Sequence, residues 1–294
     1  SEIESLGRNE ILLLISFIIS IHLTNKKFSA KLFNYQILIS FPILCLIWEQ
    51  VVLFAPFYVV LIVYKNNLKT FKSSLKYSFF IFTPSIVTFL LIFNNPLSME
   101  GHKMMCEFLQ NEFNERCYMS AVLLVQNTIY FDTLHIHTSA KFFPDYFRYL
   151  LVFIIGFGFL HLSLITNHFT NKENFISAHF KPIYLFFLLY FPVVPLFVFG
   201  LDWGRWINIM YSLSIMLYFY LLKNSHITNF YVIRSGLLKK ILEKKILLFF
   251  IFYLFAFFWN PKTVITGDIA TNSLYKIVYN SSKKIFNFDG IQLF

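Results

Sequence analysis

Charge is what this chain has least of. Only 14% of its 294 residues are charged, against roughly 25% in soluble domains, while 57% are hydrophobic. Mean hydropathy is +0.62. An ordinary soluble domain is excluded, and an integral membrane protein is indicated. Acidic residues are the scarcer sign, 15 against 25 Lys and Arg, for a net charge of +10. That surplus does not mark a nucleic-acid face, and no nucleic-acid partner is expected. The basic residues sit in short loops between apolar runs, which is the positive-inside pattern. Glycine and proline, nine of each, form no linker, and no internal repeat is visible. One membrane domain over 1–294 is therefore expected. A Walker A loop, an HExxH helix and a Gly-x-Ser-x-Gly elbow are all missing. An ATP-driven pump, a zinc protease of that type and an ordinary hydrolase lose ground. No regular series of Arg or Lys inside apolar runs supports a voltage sensor.

What is present is apolar, with 40 Phe as the dominant core former. Eight runs read as spans of an all-α membrane bundle: Ile11–Leu23, Phe33–Trp48, Val51–Tyr64, Tyr77–Phe93, Tyr149–Thr166, Pro182–Gly200, Ile207–Leu222 and Ile246–Trp259. The second and third are short. They are either a hairpin turning at Trp48-Glu49-Gln50 or one kinked helix with Pro42 and Pro56; the charge pattern favours the hairpin. Lys26, Lys27 and Lys31 follow the first run, and Lys65, Lys69, Lys72 and Lys76 follow the third. The positive-inside rule puts both loops in the cytoplasm, together with Lys223–Lys245. The acidic segment Asn94–Arg148 then lies outside, as do both ends of the chain and Asp202–Trp206. The expected location is a membrane, crossed many times. An outside start at Ser1 predicts further sequence upstream. The outer loop is long for a connector. It carries an amphipathic pattern at Met104, Met105, Phe108 and Leu109, then an apolar stretch at Met119–Phe131, and both suit helices lying on the outer leaflet. The tail after Asn260 has a similar pattern.

Chemistry-bearing residues cluster in few places. Asp202-Trp203-Gly204-Arg205-Trp206 puts a carboxylate, a guanidinium and two indoles between two apolar runs, where charge is expensive unless used or paired. One reading makes the indoles an interfacial belt, with Asp202 capping the next helix and pairing with Arg205. The other makes Arg205 a binder of lipid phosphate or pyrophosphate, oriented by Asp202. A planar, permanently charged fork suits phosphate, and Trp203 and Trp206 offer faces for sugar rings. Pro144-Asp145-Tyr146-Phe147-Arg148 is an ordinary helix start, yet it faces the same side. Asp145 and Arg148 are thus candidates for the same pocket. Glu49, at the hairpin tip, is another, although Trp48 beside it suggests interface anchoring. Cys106 and Cys117 share the outer loop and are expected to form a disulfide in an oxidising compartment. A metal pair there lacks further ligands, and no metal or cofactor is expected. Cys45 reads as packing. His135-Ile136-His137 is weak as a metal signal. His161 should hydrogen-bond to a neighbouring helix, and Lys239–Lys245 should touch anionic lipid.

The stretch Phe199-Gly200-Leu201-Asp202-Trp203-Gly204-Arg205-Trp206, after a Pro-containing run, resembles a motif of multi-pass bacterial envelope proteins of the O-antigen polymerase type. The acidic outer loop with Cys106 and Cys117 is similar to loops in that group. The resemblance covers about a quarter of the chain. It implies a polymerase or glycosyltransferase acting on polyprenyl-pyrophosphate-linked oligosaccharide at the outer face of a bacterial inner membrane. Arg205 and Arg148 would hold phosphate, and Asp202 or Asp145 would serve as base or orienting group. A transporter or flippase of a lipid-linked or amphipathic solute is the other reading. Pro192 and Pro195 in the sixth run fit the broken helix it would need.

Overall fold

The computed structural model describes residues 9–95, 98–114, 143–199 and 203–228, with isolated positions between 244 and 285. Among the described residues the regular elements are all helices, joined by turns and loops, with one isolated antiparallel bridge between Phe169 and Ile227. The expected all-α class is met. Asp202, Cys117, Met119–Phe131, His135 and His137 lie outside the described residues, as does nearly all of the chain from 229 on, including the eighth run.

Helix α1 covers Asn9–Leu23 and α2 covers Ala30–Ile47, the latter opened by Ser29, whose side chain accepts from the Leu32 amide. A hydroxyl there satisfies one of the amides that a helix start leaves without a partner. At Trp48 the backbone turns extended. A 3-10 segment, Glu49–Phe54, then leads into α3, Ala55–Lys65, with Pro56 in its first turn, where a missing N–H costs nothing. The hairpin reading therefore holds. Asn34 near the start of α2 bonds Asn66 just past the end of α3, at 3.2–3.3 Å in both directions.

Helix α4, Phe71–Asn94, opens on a capping box between Thr70 and Ser73. Helix α5, Met99–Phe113, starts on Ser98 and is the amphipathic helix expected in the long loop, with Met104 and Phe108 exposed. Then come α6, Phe143–Thr166, and the short α7, Phe175–His179, which has an Asn174–Ser177 capping box. The sixth run is broken: α8, Pro182–Tyr190, gives way to a 3-10 turn at Phe191–Val193 and then to α9, Val194–Phe199. Pro192 and Pro195 each remove a helical donor, which accounts for the interruption. Helix α10 covers Trp203–Lys223.

Two of these helices among the described residues, α2 and α4, are long and apolar enough to cross a membrane. Shorter apolar helices span Glu10–Leu23, Phe153–Thr166 and Pro182–Val198. The core draws on α1, α2, α3, α4, α6, α8 and α10. In it Tyr58 has Phe17 and Phe41 each 5.0 Å away edge-on, and Phe82 reaches Phe41 at 4.9 Å. Such pairs add about 0.5–1.5 kcal/mol each beyond burial. Polar contacts fix the register of α1 on α2: Ser20 donates to Gln36, and the Gln36 amide donates to Ser16 and Ser40. On the other side, His161 of α6 sits 3.4 Å from the Tyr190 hydroxyl of α8, the interhelical contact expected of it.

Outward faces are as apolar as the core. Ile39, Leu46, Phe79, Phe80, Leu91 and Ile165 are all more than half exposed.

Candidate functional site

The two ends of the bundle differ. Helices α1 and α10 both begin at one end, and the 3-10 turn at Glu49–Phe54 lies there too. Glu10, in the first turn of α1, makes an ion pair with Arg205, in the first turn of α10. Their side chains are 12% and 29% exposed, so this is no solvated surface pair. Taking both charges from water costs several kcal/mol per ion before their attraction returns it. The start of α1 favours a carboxylate, because a helix N-terminus carries partial positive charge. The start of α10 disfavours Arg205 for the same reason. Glu10 offsets part of that cost.

Aromatic side chains surround the pair. Trp206, 2% exposed, donates its indole N–H to Gln50 of the 3-10 turn at 3.2 Å. Phe197 meets Trp203 and Trp206 edge-on at 5.6 and 5.5 Å, and Tyr149 meets Trp203 at 5.5 Å. Trp48 is buried and lies 6.2 Å from Phe54. Trp206 and Trp48 are therefore core groups, not belt anchors; burial of a donor-bearing ring is workable only because Gln50 accepts from Trp206. Trp203 stays half-buried, and Glu49 is half-buried beside Gln50. Asp145 and Arg148 belong to the first turns of α6, two turns or fewer before Tyr149.

One end of the bundle thus gathers Arg205, Trp203, Trp206, Glu49 and the helix segment holding Asp145 and Arg148. The carboxylate shown on Arg205 is Glu10. Sequence reasoning missed Glu10 and Gln50. A signal for Glu10 existed: at helical spacing it shares a face with Leu13, Phe17 and Ser20, all fully buried. Among the other expected groups, Cys106 is disulfide-bonded and has His102 within 3.5 Å of its sulfur. Cys45 is a free thiol packed in the core. No cluster of His, Cys, Asp and Glu suited to a metal ion occurs among the described residues.

At the opposite end most of the bonds are made to backbone carbonyls. Lys65 donates to the carbonyls of Thr24, Asn25 and Phe28 at 2.8–3.2 Å. The Phe175 amide bonds the Leu68 carbonyl, the Thr170 amide bonds that of His226, and the Thr228 amide bonds that of His168. Asn34, Asn66 and Tyr77 form a side-chain triad beside them. Burial pulls the pKa of His226 below the ordinary histidine value, and nearby Glu173 pulls it partly back.

No protein family, curated protein or solved structure matches the chain.

Proposed function

We propose that the chain is a multi-pass bacterial inner-membrane protein that assembles envelope polysaccharide, as a polymerase or glycosyltransferase using polyprenyl-pyrophosphate-linked oligosaccharide at the outer face. The observation that carries the reading is the retained, poorly hydrated Glu10–Arg205 pair among indoles at one end of an otherwise apolar bundle. An eight-crossing topology agrees with the placement of charge. The Lys-rich loops after α1 and α3, and Lys223, share the end opposite Arg205, which suits cytoplasmic loops there and an outward-facing Arg205. The apolar outward faces suit lipid.

In this mechanism the donor's pyrophosphate sits against Arg205 and Arg148, and a sugar ring lies on Trp203. An acceptor hydroxyl attacks the anomeric carbon of the donor. The new glycosidic C–O bond forms as the bond from that carbon to the pyrophosphate oxygen breaks. The hydroxyl proton passes to Asp202 or Asp145, and the bond electrons leave on the pyrophosphate, whose negative charge the guanidinium groups stabilise. Glu10 fixes the Arg205 fork. Asp202→Asn and Arg205→Ala should shorten glycan chains in cells that need the protein. Unchanged chain length in both would end the proposal.

The break at Phe191–Val193 favours a second reading, a transporter or flippase of a lipid-linked or amphipathic solute. Purified protein in liposomes that moves such a solute while forming no glycosidic bond would select it over the enzyme.

A further inference from the structure

A second feature lies at the Lys65 end, away from the charged pair. Between the C-terminal halves of α1 and α10 there is a cavity of about 400 Å³, within the roughly 300–1,000 Å³ of small-molecule sites. Its walls are apolar, with Ile18, Met216 and Phe219 among them, and its rim carries His22, Asn25 and Lys223. Ile18 and Phe219 are also 53% and 57% exposed on the outside of the bundle, so the apolar wall continues onto the face that would meet acyl chains.

We infer that this cavity holds one anionic phospholipid, its phosphate at Lys223 and its chain along Ile18, Met216 and Phe219. The inference rests on the membrane reading above, and it is independent of the proposed chemistry at Arg205. Charge selects the sign of the head group. Among the described residues no carboxylate lines the cavity. Both helices end here, and bare helix C-termini would repel an anion. Lys65 removes that objection at α1 by donating to Thr24, Asn25 and Phe28. Lys223 stands in the last turn of α10. Asn25 and His22 add short-range donors beside a compact ammonium. The apolar wall selects a lipid over free phosphate, which would leave Ile18 and Phe219 uncovered.

The test is native mass spectrometry of the full chain in detergent micelles. Phosphatidylglycerol and phosphatidylcholine are titrated separately, and glycerol phosphate is added as a soluble competitor. Phosphatidylglycerol should be retained about fivefold more than phosphatidylcholine, the factor one surface-proximal lysine supplies. Lys223→Gln should erase that preference, whereas Lys172→Gln, exposed in the α6–α7 loop, should keep it. Ile18→Trp, which fills the cavity from an exposed position, should lower retention of both lipids. Equal retention of the two lipids, an unchanged preference in Lys223→Gln, the same loss in Lys172→Gln, unaltered binding in Ile18→Trp, or displacement by glycerol phosphate would each overturn the inference. Carbonate extraction of cell membranes separates the two levels. A chain released by carbonate sinks the multi-pass reading itself; a retained chain with no lipid preference sinks only the site.

Discussion

At the Lys65 end, loops from four parts of the chain are joined by main-chain bonds, Leu68 to Phe175 and His168 and Thr170 to the segment 226–228, and by the side chain of Lys65 on the carbonyls of Thr24, Asn25 and Phe28. At the Glu10 end, α1, the 3-10 turn and α10 are joined through side chains, Glu10 to Arg205 and Trp206 to Gln50. Main-chain bonds ask little of the residues that make them, and several of them share the load. Side-chain bonds ask for particular residues. The first arrangement holds a bundle together whatever its task. The second keeps a charge where an apolar pair of similar volume would be as stable or more so. Stability alone does not account for a carboxylate and a guanidinium at that place, which is why the chemistry is sought there.

Breaking the ion pair should therefore have the largest effect. Arg205→Met leaves Glu10 nearly buried without the guanidinium and should cost about 3 kcal/mol in unfolding free energy. Glu10→Gln with Arg205→Gln should cost much less than the sum of the single changes, because neither member of the pair is then left charged without the other. Thermal unfolding in one detergent, run as a double-mutant cycle, measures both. If the four proteins unfold additively, the two charges do not act as a pair and the contrast between the ends disappears.

Lys65→Met is the matching test at the other end. It removes three charge-assisted bonds, but the released carbonyls lie near water and rehydrate. The expected cost is about 1.5 kcal/mol, below that of Arg205→Met. The backbone ties around Leu68 and Phe175 should stay protected from hydrogen exchange. A cost above that of Arg205→Met, or loss of that protection, would show that the Lys65 end hangs on one side chain after all. Trp206→Phe comes next, at about 1 kcal/mol. The ring volume is largely kept, and what is lost is the bond to Gln50, whose acceptor then stays unsatisfied in a half-buried turn. Gln50→Leu in the same background should recover part of the loss.

These contrasts also mark what the sequence could and could not disclose. Hydropathy located α1, α2, α3 and α10 to within a few residues, because each is a continuous apolar run, but it set the start of α6 at Tyr149, whereas that helix opens at Phe143. It set the start of α4 at Tyr77, whereas the helix opens at Phe71. Lys72 and Lys76 dilute the first turns, and the Thr70–Ser73 capping box that starts them is a local hydrogen-bond signal to which hydropathy is blind. The hairpin at Trp48 was legible from the charge of the loops on either side. Arg205 was legible as an expensive charge. Its partner was not: Glu10 and Arg205 are almost two hundred residues apart in the chain, and only packing of α1 beside α10 brings them together. The two indoles show the same limit. Composition makes Trp206 and Trp203 equivalent, yet α10 turns Trp206 into the core and leaves Trp203 half-buried. Periodicity along α10, with Trp206, Met210, Leu213 and Leu217 on one buried face, was the signal that separates them.

The smallest effect belongs to pH at the Lys65 end. His226 packs 4.4 Å from the Tyr64 ring and 5.8 Å from that of Tyr220, and Glu173 is the charged group that acts on it. Burial lowers the pKa of the folded imidazole, with Glu173 opposing. The folded chain therefore takes up this proton less readily than the unfolded one does. The stability tied to neutral His226 is complete above the unfolded value, about pH 6.5, and is lost as pH falls through it toward the lower folded value. Melting temperature should drop between pH 8 and pH 5, and the drop should be smaller in His226→Gln, which cannot take the proton. Glu173→Gln should enlarge it, since the carboxylate is what eases protonation in the fold. The direction of the Glu173 effect separates this account from general acid sensitivity. If removing that carboxylate instead shrinks the pH dependence, His226 is not the titrating group, and the Lys65 end owes its pH response to something other than this half-buried ring.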